Sequence, residues 1–409
     1  MQLDLFGPVF KANPYPTYAA LREQEPFCRR VNADGKVIWF VTRYADVAAI
    51  LRDPVNFVKD VRHTMTPSER AALPPTPALV HQLSNHMLNL DPPDHTRLRS
   101  LVSKAFTGAV VNPMEQRIQA MADTLLDKVQ AHGGMELIDD FAYPLPIYVI
   151  ADLLGIPLRD QRRFRQWSQA FVTPSVNVQR NTQKYLKTQR LMADFTGYMQ
   201  KCFAERRTNP QPDLISGLLH AEEQGDKLSE EELYSMVILL IVAGHETVVD
   251  LIGNGVLALL QNPDQLTLLH QQPALLDAAI EEIVRYDGPV ERATIRFAAQ
   301  DVEIGGHTIG RGDAVNLVLA AADHDPAQFP LPDHFDIARP NNRHLGFGLG
   351  LHYCLGAGLG RLEGRIAIST LLRRLPDLRL AVPVDRLRWR TTPILRGLQH
   401  MPVMWTAVE

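Results

Sequence analysis

Between Pro93 and His270 apolar residues return at the three- and four-residue intervals of a helix, and one helix after another is predicted there. VNPMEQRIQAMADTLLDKVQAHG is amphipathic, with Pro113 near its start and Gly133 at its end. QKYLKTQRLMADFTGYMQKCFAERRTNP is a second helix, stopped by Asn209-Pro210. A third opens at Ser229, where Glu232 has capping-box spacing, and continues to Gln261. Its middle, Met236 to Gly244, is apolar on nearly every face, so this helix is expected to cross the core. Further helices are predicted in QPALLDAAIEEIVRYDGPV, closed by Gly288-Pro289, and in GAGLGRLEGRIAISTLLRRLP.

The flanks read differently. Near the start, NPYPTYAALREQEP predicts a short helix, KVIWFVTRY a strand and ADVAAILRD another helix. Asp60 to Asn89 carries few regular signals and reads either as a lid or as a plain surface excursion. After Pro289 the period shortens to alternation, and ATIRFAAQDVEIGGHTIGRGDAVNLVLAAAD predicts a small antiparallel sheet. With no repeat, low-complexity tract or linker, residues 1–409 read as one mostly helical domain with a minor sheet portion.

Composition narrows the function. Hydrophobic residues are 45% and charged residues 22%, as in an ordinary globular protein, and the net charge of -4 gives no basic stripe for nucleic acid. The three cysteines, Cys28, Cys202 and Cys354, are too few for a disulfide framework or a cysteine-only metal cluster. The N-terminus has neither a basic start nor an apolar run, and the nine apolar residues of MVILLIVAG are about half of a membrane span. A soluble, cytoplasmic protein with no membrane contact is expected.

Two segments carry chemistry. In HLGFGLGLHYCLGAGLGRLEGR a single cysteine sits among glycines, a density suited to a backbone turning beside a large rigid object. A helix beginning just after Cys354 would aim N–H groups at its sulfur and favour a thiolate. Residue chemistry leaves three readings open: an axial metal ligand, a nucleophile, or an inert buried thiol. In Ala243-Gly244-His245-Glu246-Thr247 an acid and an alcohol interrupt the apolar helix. Either Thr247 back-bonds to a carbonyl while Glu246 pairs with a base, or the two serve a reaction. His245 reads as a structural histidine, since no second ligand has coordinating spacing with it.

Phe347-Gly348-Leu349-Gly350-Leu351-His352-Tyr353-Cys354-Leu355-Gly356 resembles the haem-binding signature F-G-x-G-x-H-x-C-x-G of cytochrome P450, with every fixed position met. Ala243 to Thr247 is similar to the family's oxygen-activation pattern, and Glu282-x-x-Arg285 with Arg339 to its buried acid–base triad. The resemblance implies a mainly α P450 fold, with a long central helix over haem b and small antiparallel sheets. It makes Cys354 the proximal iron ligand, with Phe347 packed beside the sulfur. His95, Arg99, Arg296 and His352 would serve the haem propionates, and Ala243 and Gly244 would leave room above the iron. Thr247 would hydrogen-bond bound dioxygen or a water next to it, and Glu246 would relay protons. Glu282, Arg285 and Arg339 would serve fold integrity.

The same resemblance, closest to the branch that hydroxylates macrolides and polyketides, implies a monooxygenase. A substrate C–H, O2, two electrons and two protons would give C–OH and water. The family's motif offsets place Met87, Leu88, Leu239, Val242, Arg292, Thr294 and Ile394 at an apolar, medium-to-large substrate of macrolide, polyketide or steroid kind. The alternatives are a fatty-acid hydroxylase, or a P450 catalysing epoxidation or coupling, or using peroxide; a haem sensor or carrier has no supporting module. Electrons are expected from a separate ferredoxin and its NAD(P)H-dependent reductase, meeting Arg343, Arg361 and Arg365 of a monomer. Arg97 and Lys104 are expected at the surface, open to a partner.

Overall fold

Ser229 and Glu232 start the long helix as their spacing predicts. The Ser229 N–H donates to the Glu232 carboxylate at 2.8 Å, and the Glu232 N–H donates to the Ser229 hydroxyl at 3.3 Å. The helix runs unbroken over Glu230–Gln261 in this computed structural model, which describes residues 4–76, 78–106, 113–172, 182–221 and 225–407. By length and composition it could cross a membrane, yet 72% of its most apolar window is buried inside the protein, as in a core helix. The other expected helices are Tyr15–Gln24, Tyr44–Leu51, Asp94–Ala105, Met114–Asp127, Thr182–Thr208, Leu276–Asp287 and Ala357–Arg374. Val111 and Asn112, at the expected start of the fourth of these, lie outside the described residues.

The largest sheet has the strand order Phe27–Val31, Val37–Val41, Ala314–Leu317, Arg296–Ala298, Phe57–Val58. Most neighbours are antiparallel, but Val37–Val41 and Ala314–Leu317 run parallel, with Ile38 opposite Ala314 and Val41 opposite Leu317. The pairs within the segment after Pro289 are antiparallel as expected, Arg296–Ala298 with Ala314–Leu317 and Val302–Ile304 with His307–Ile309, while alternation within one segment does not say which distant strand it meets. Phe27, Trp39, Val41, Ile50, Val315 and Leu317 form the apolar cluster under this sheet.

The chain forms two compact units. The first comprises Met1–Thr66, Gln119–Pro144 and Thr247–Glu409 and contains all the strands described above. The second comprises Pro67–Ile118 and Leu145–Glu246, and the elements described in it are all helices. Within it, Trp167 and Phe171 pack edge-on against Phe195. The stretch expected to be irregular, Asp60 to Asn89, holds short helices at Val61–Thr64, Pro67–Ala71, Ala78–Ser84 and Met87–Asn89. None is long enough to leave a hydrophobic period in the sequence. Residue 77 of that stretch lies outside the described residues.

Candidate functional site

In the first unit the cysteine loop folds back on itself. The Gly348 N–H donates to Leu345 O at 2.7 Å, the Tyr353 N–H to Gly350 O at 3.0 Å, and the Cys354 N–H to Phe347 O at 2.9 Å. Gly350 has φ +71°, and a Cβ there would stand 2.5 Å from the Leu51 carbonyl oxygen, so sterics and conformation both require glycine. The chain then enters the helix Ala357–Arg374, three residues beyond Cys354, whose side of the loop is exposed. The other two thiols are unlike it: burial pushes Cys28 and Cys202 each up to about 11, which keeps them protonated at neutral pH.

His352 is half-buried in the turn Gly350–His352, on the same loop. Arg296 is buried at the head of the strand Arg296–Ala298, and its Nη1 donates to Thr294 O at 3.2 Å. The Thr294 hydroxyl accepts from Lys59 Nζ at 2.7 Å. Ile394 is joined to the segment after Pro289, its carbonyl accepting from Glu291 N–H at 2.8 Å and Arg292 N–H at 3.3 Å. The Arg292 guanidinium donates to Leu5 O at 2.7 Å, pairs with Glu291 at 3.1 Å and stacks over Phe6 and Phe40. With 1% of its surface exposed it anchors the N-terminal segment. Sequence offsets fixed its place on the chain but not the direction of its long side chain.

In the second unit, His95 and Arg99 lie one turn apart on the helix Asp94–Ala105. Burial, and then the charge of Arg99, hold the His95 imidazole below its ordinary value against the opposing pull of Asp91. Arg97, expected at the surface, is partly exposed and is paired with Glu232 and with Asp226 at 3.4 Å. The long helix is buried from Leu233 to Ile241 and again from Val248 to Leu259. Between these stretches Ala243 is exposed, and Val242, Gly244, Glu246 and Thr247 are partly exposed. Gly244 also has a packing reason to be glycine: a Cβ there would lie 3.3 Å from Ile150 Cδ1. His245 is buried, with its Nδ1 at 3.3 Å from the Ser168 hydroxyl. Met87 and Leu239 are buried at 6% exposure each, whereas Leu88 and Val242 keep some free surface.

The acid–base triad is assembled. Glu282, fully buried, takes Arg285 through two bonds of 2.8 Å and Arg339 Nε through two of 3.1 Å. Asn342 Nδ2 and the Asp336 N–H donate to the same carboxylate, each at 3.0 Å. Three further residues escaped the sequence reading. Asp323 accepts the Leu345 N–H at 2.7 Å, and Glu281 accepts from His344 and Arg361. The only signal in the sequence was the acid beside Glu282, which a helical pattern treats as solvated. Arg361, expected to face a partner protein, is engaged by Glu281 and lies over the Phe347 ring.

These residues fit haem. Among the described residues no group of three or more His, Cys, Asp or Glu side chains is placed to hold a metal ion, and haem iron asks the protein for a single thiolate. A lone exposed thiol ahead of a helix N-terminus is the donor that such a group needs. The comparisons agree. A family model described as Cytochrome P450 matches residues 35–377. The vitamin D(3) 25-hydroxylase of Pseudonocardia autotrophica is 45% identical over 403 residues, 98% of this chain and 96% of its own. The structure of the bacillaene polyketide synthase cytochrome P450 PksS of Bacillus subtilis 168 superposes with a TM-score of 0.90 at 40% identity, covering 99% of this chain and 100% of its own. A myxobacterial cytochrome P450 solved with myristic acid gives 0.88 at 42% identity over 99% of this chain and 100% of its own.

Proposed function

Since this chain belongs to the cytochrome P450 family, and is thus a monooxygenase whose haem b is carried on a cysteine thiolate, we propose that it hydroxylates an apolar, medium-to-large substrate of macrolide, polyketide or steroid kind. Support comes from a vitamin D(3) 25-hydroxylase and a polyketide-synthase P450 of similar sequence; the relative holding myristic acid favours a fatty acid as the second reading. The whole chain is taken as one haem-thiolate domain.

The observation that carries the reading is Cys354, exposed on a glycine-shaped loop ahead of a helix N-terminus. Cys354 is assigned as the iron ligand, with Phe347 shielding its sulfur. When bound, the haem supplies the oxygen-activating chemistry. Arg296, His352, His95 and Arg99 are assigned to its two carboxylates, Arg99 bringing charge and His95 an N–H group. Ala243 and Gly244 offer a flat helix surface without bulky side chains. Thr247 holds a proton donor in place by its hydroxyl, and Glu246 passes protons inward. Of the substrate candidates, Leu88, Val242, Thr294 and Ile394 have free surface to offer; Leu239, Met87 and Arg292, which are buried, stay as secondary candidates. Electrons come from a separate ferredoxin and its NAD(P)H-dependent reductase, for which exposed Arg343 and half-buried Arg365 offer charge. A cytoplasmic monomer is proposed, with Cys28, Cys202 and Cys354 outside any disulfide.

The test is the spectrum of the reduced protein with CO. A band at the thiolate position, lost in Cys354→Ala together with product formation, is the expected result; both surviving without Cys354 would remove the ligand assignment. A compound library scored by the optical shift of the ferric protein then identifies the substrate class. Val242→Phe should weaken the best compound by at least ~1 kcal/mol through overpacking.

A further inference from the structure

The helix Leu276–Asp287 presents two consecutive carboxylates that do different things. Glu282 closes the acid–base triad. Glu281 receives Arg361 Nε at 2.6 Å and Nη2 at 2.8 Å, and His344 Nε2 at 3.0 Å. The other nitrogen of His344 accepts the Gly346 N–H at 3.1 Å, so the ring donates its one N–H to Glu281. Arg361 in turn places its guanidinium 4.2 Å from the centre of the Phe347 ring, and its Nη1 lies 3.3 Å from the Tyr353 hydroxyl. His344 and Phe347 enter the cysteine loop, Tyr353 precedes the cysteine, and Arg361 stands on the helix that follows. One carboxylate therefore ties together the chain before, within and after Cys354. Burial works against its charge, but Arg361 and His344 outweigh it and hold Glu281 down to about 2, so it stays ionised at working pH.

We propose that Glu281 is a positioning residue for the Cys354 thiolate: by fixing His344 and neutralising Arg361 against the Phe347 ring, it sets both the order of the loop and the reduction potential of the iron held there. The inference rests on the haem-thiolate reading above. The cause is electrostatic. Reduction adds one negative charge at the iron, and a cation brought near favours it. Glu281 cancels the cation that Arg361 brings, so the two together keep the potential low.

The experiment measures the ferric–ferrous potential and the reduced-CO spectrum of the holoenzyme and three variants. Glu281→Gln keeps the shape but leaves Arg361 uncompensated, and its potential should move positive. Arg361→Gln leaves the carboxylate uncompensated, and its potential should move negative. In the double variant the charge balances again, and the potential should return toward wild type. Loop order should not return: on warming, all three variants should lose the thiolate band sooner than wild type. Single variants with the wild-type potential, or shifting it in the same direction, would overturn the proposal. If Glu281→Gln fails to take up haem, Arg361→Gln still decides it by the sign of its shift. A wild-type protein without the thiolate band would instead overturn the haem-thiolate reading itself.

Discussion

Thr247 and Asp323 show how one side chain's surroundings set its use. Thr247 is partly exposed on a helix otherwise buried on both sides of its stretch. Thr247→Ala should leave haem content intact and lower the product formed per NAD(P)H consumed; unchanged coupling would return the hydroxyl to a structural role. Asp323 is buried at 2% exposure, and burial pushes its carboxyl up to about 7 from an ordinary 3.8, while His344, the Leu345 N–H and Arg285 pull the other way. The sign follows from proton binding. Between about pH 4 and 7 the folded protein holds a proton that the unfolded chain has released, so this group's contribution to stability falls as pH rises through that window and is level above it. Asp323→Asn keeps an acceptor for Leu345 and removes the charge. Urea unfolding should show the variant equal to wild type near pH 4, progressively more stable up to about pH 7, and ahead by a constant margin above it. A constant difference across that range would mean that Asp323 does not titrate there.

At the scale of elements, helix starts and sharp turns place the chemistry. The capping box at Ser229 fixes where the long helix begins, and thereby which of its residues fall in the partly exposed stretch around His245, Val242–Thr247. Ser229→Ala should cost about 1 kcal/mol of stability, measured by urea unfolding. The cysteine loop depends on Gly350 more sharply, since a side chain there meets the Leu51 backbone as well as an unfavourable φ. Gly350→Ala should lower haem retention and cost about 1–3 kcal/mol. A variant with wild-type haem content and unfolding midpoint would show that the loop can shift to absorb a methyl group.

For the whole molecule, the decisive feature is Glu282, whose partners Arg285, Asp336, Arg339 and Asn342 tie the helix Leu276–Asp287 to the segment leading into the cysteine loop. Arg285 extends the tie through the carbonyls of Asp323, Pro332 and His334. A buried ion pair of this kind specifies an arrangement more than it adds stability, but breaking it from one side is costly. Glu282→Ala strands two arginines and should cost about 3–5 kcal/mol, with haem lost before global unfolding. Simultaneous loss of haem and of helical signal would mean that the triad holds the entire unit rather than the approach to the loop.

The sequence by itself determined the helices, because hydrophobic period, caps and prolines act within a few residues. It also determined the cysteine loop, because a glycine that must adopt positive φ is written locally, and the family signature lies in one unbroken run. The parallel pairing of Val37–Val41 with Ala314–Leu317 was decided only in the tertiary structure, since it joins strands far apart in the chain. So were the aim of Arg292 into the N-terminal segment and the capture of Arg361 by Glu281. A long charged side chain can reach in several directions from one backbone position, and which direction costs least depends on the partners that folding brings within hydrogen-bonding distance.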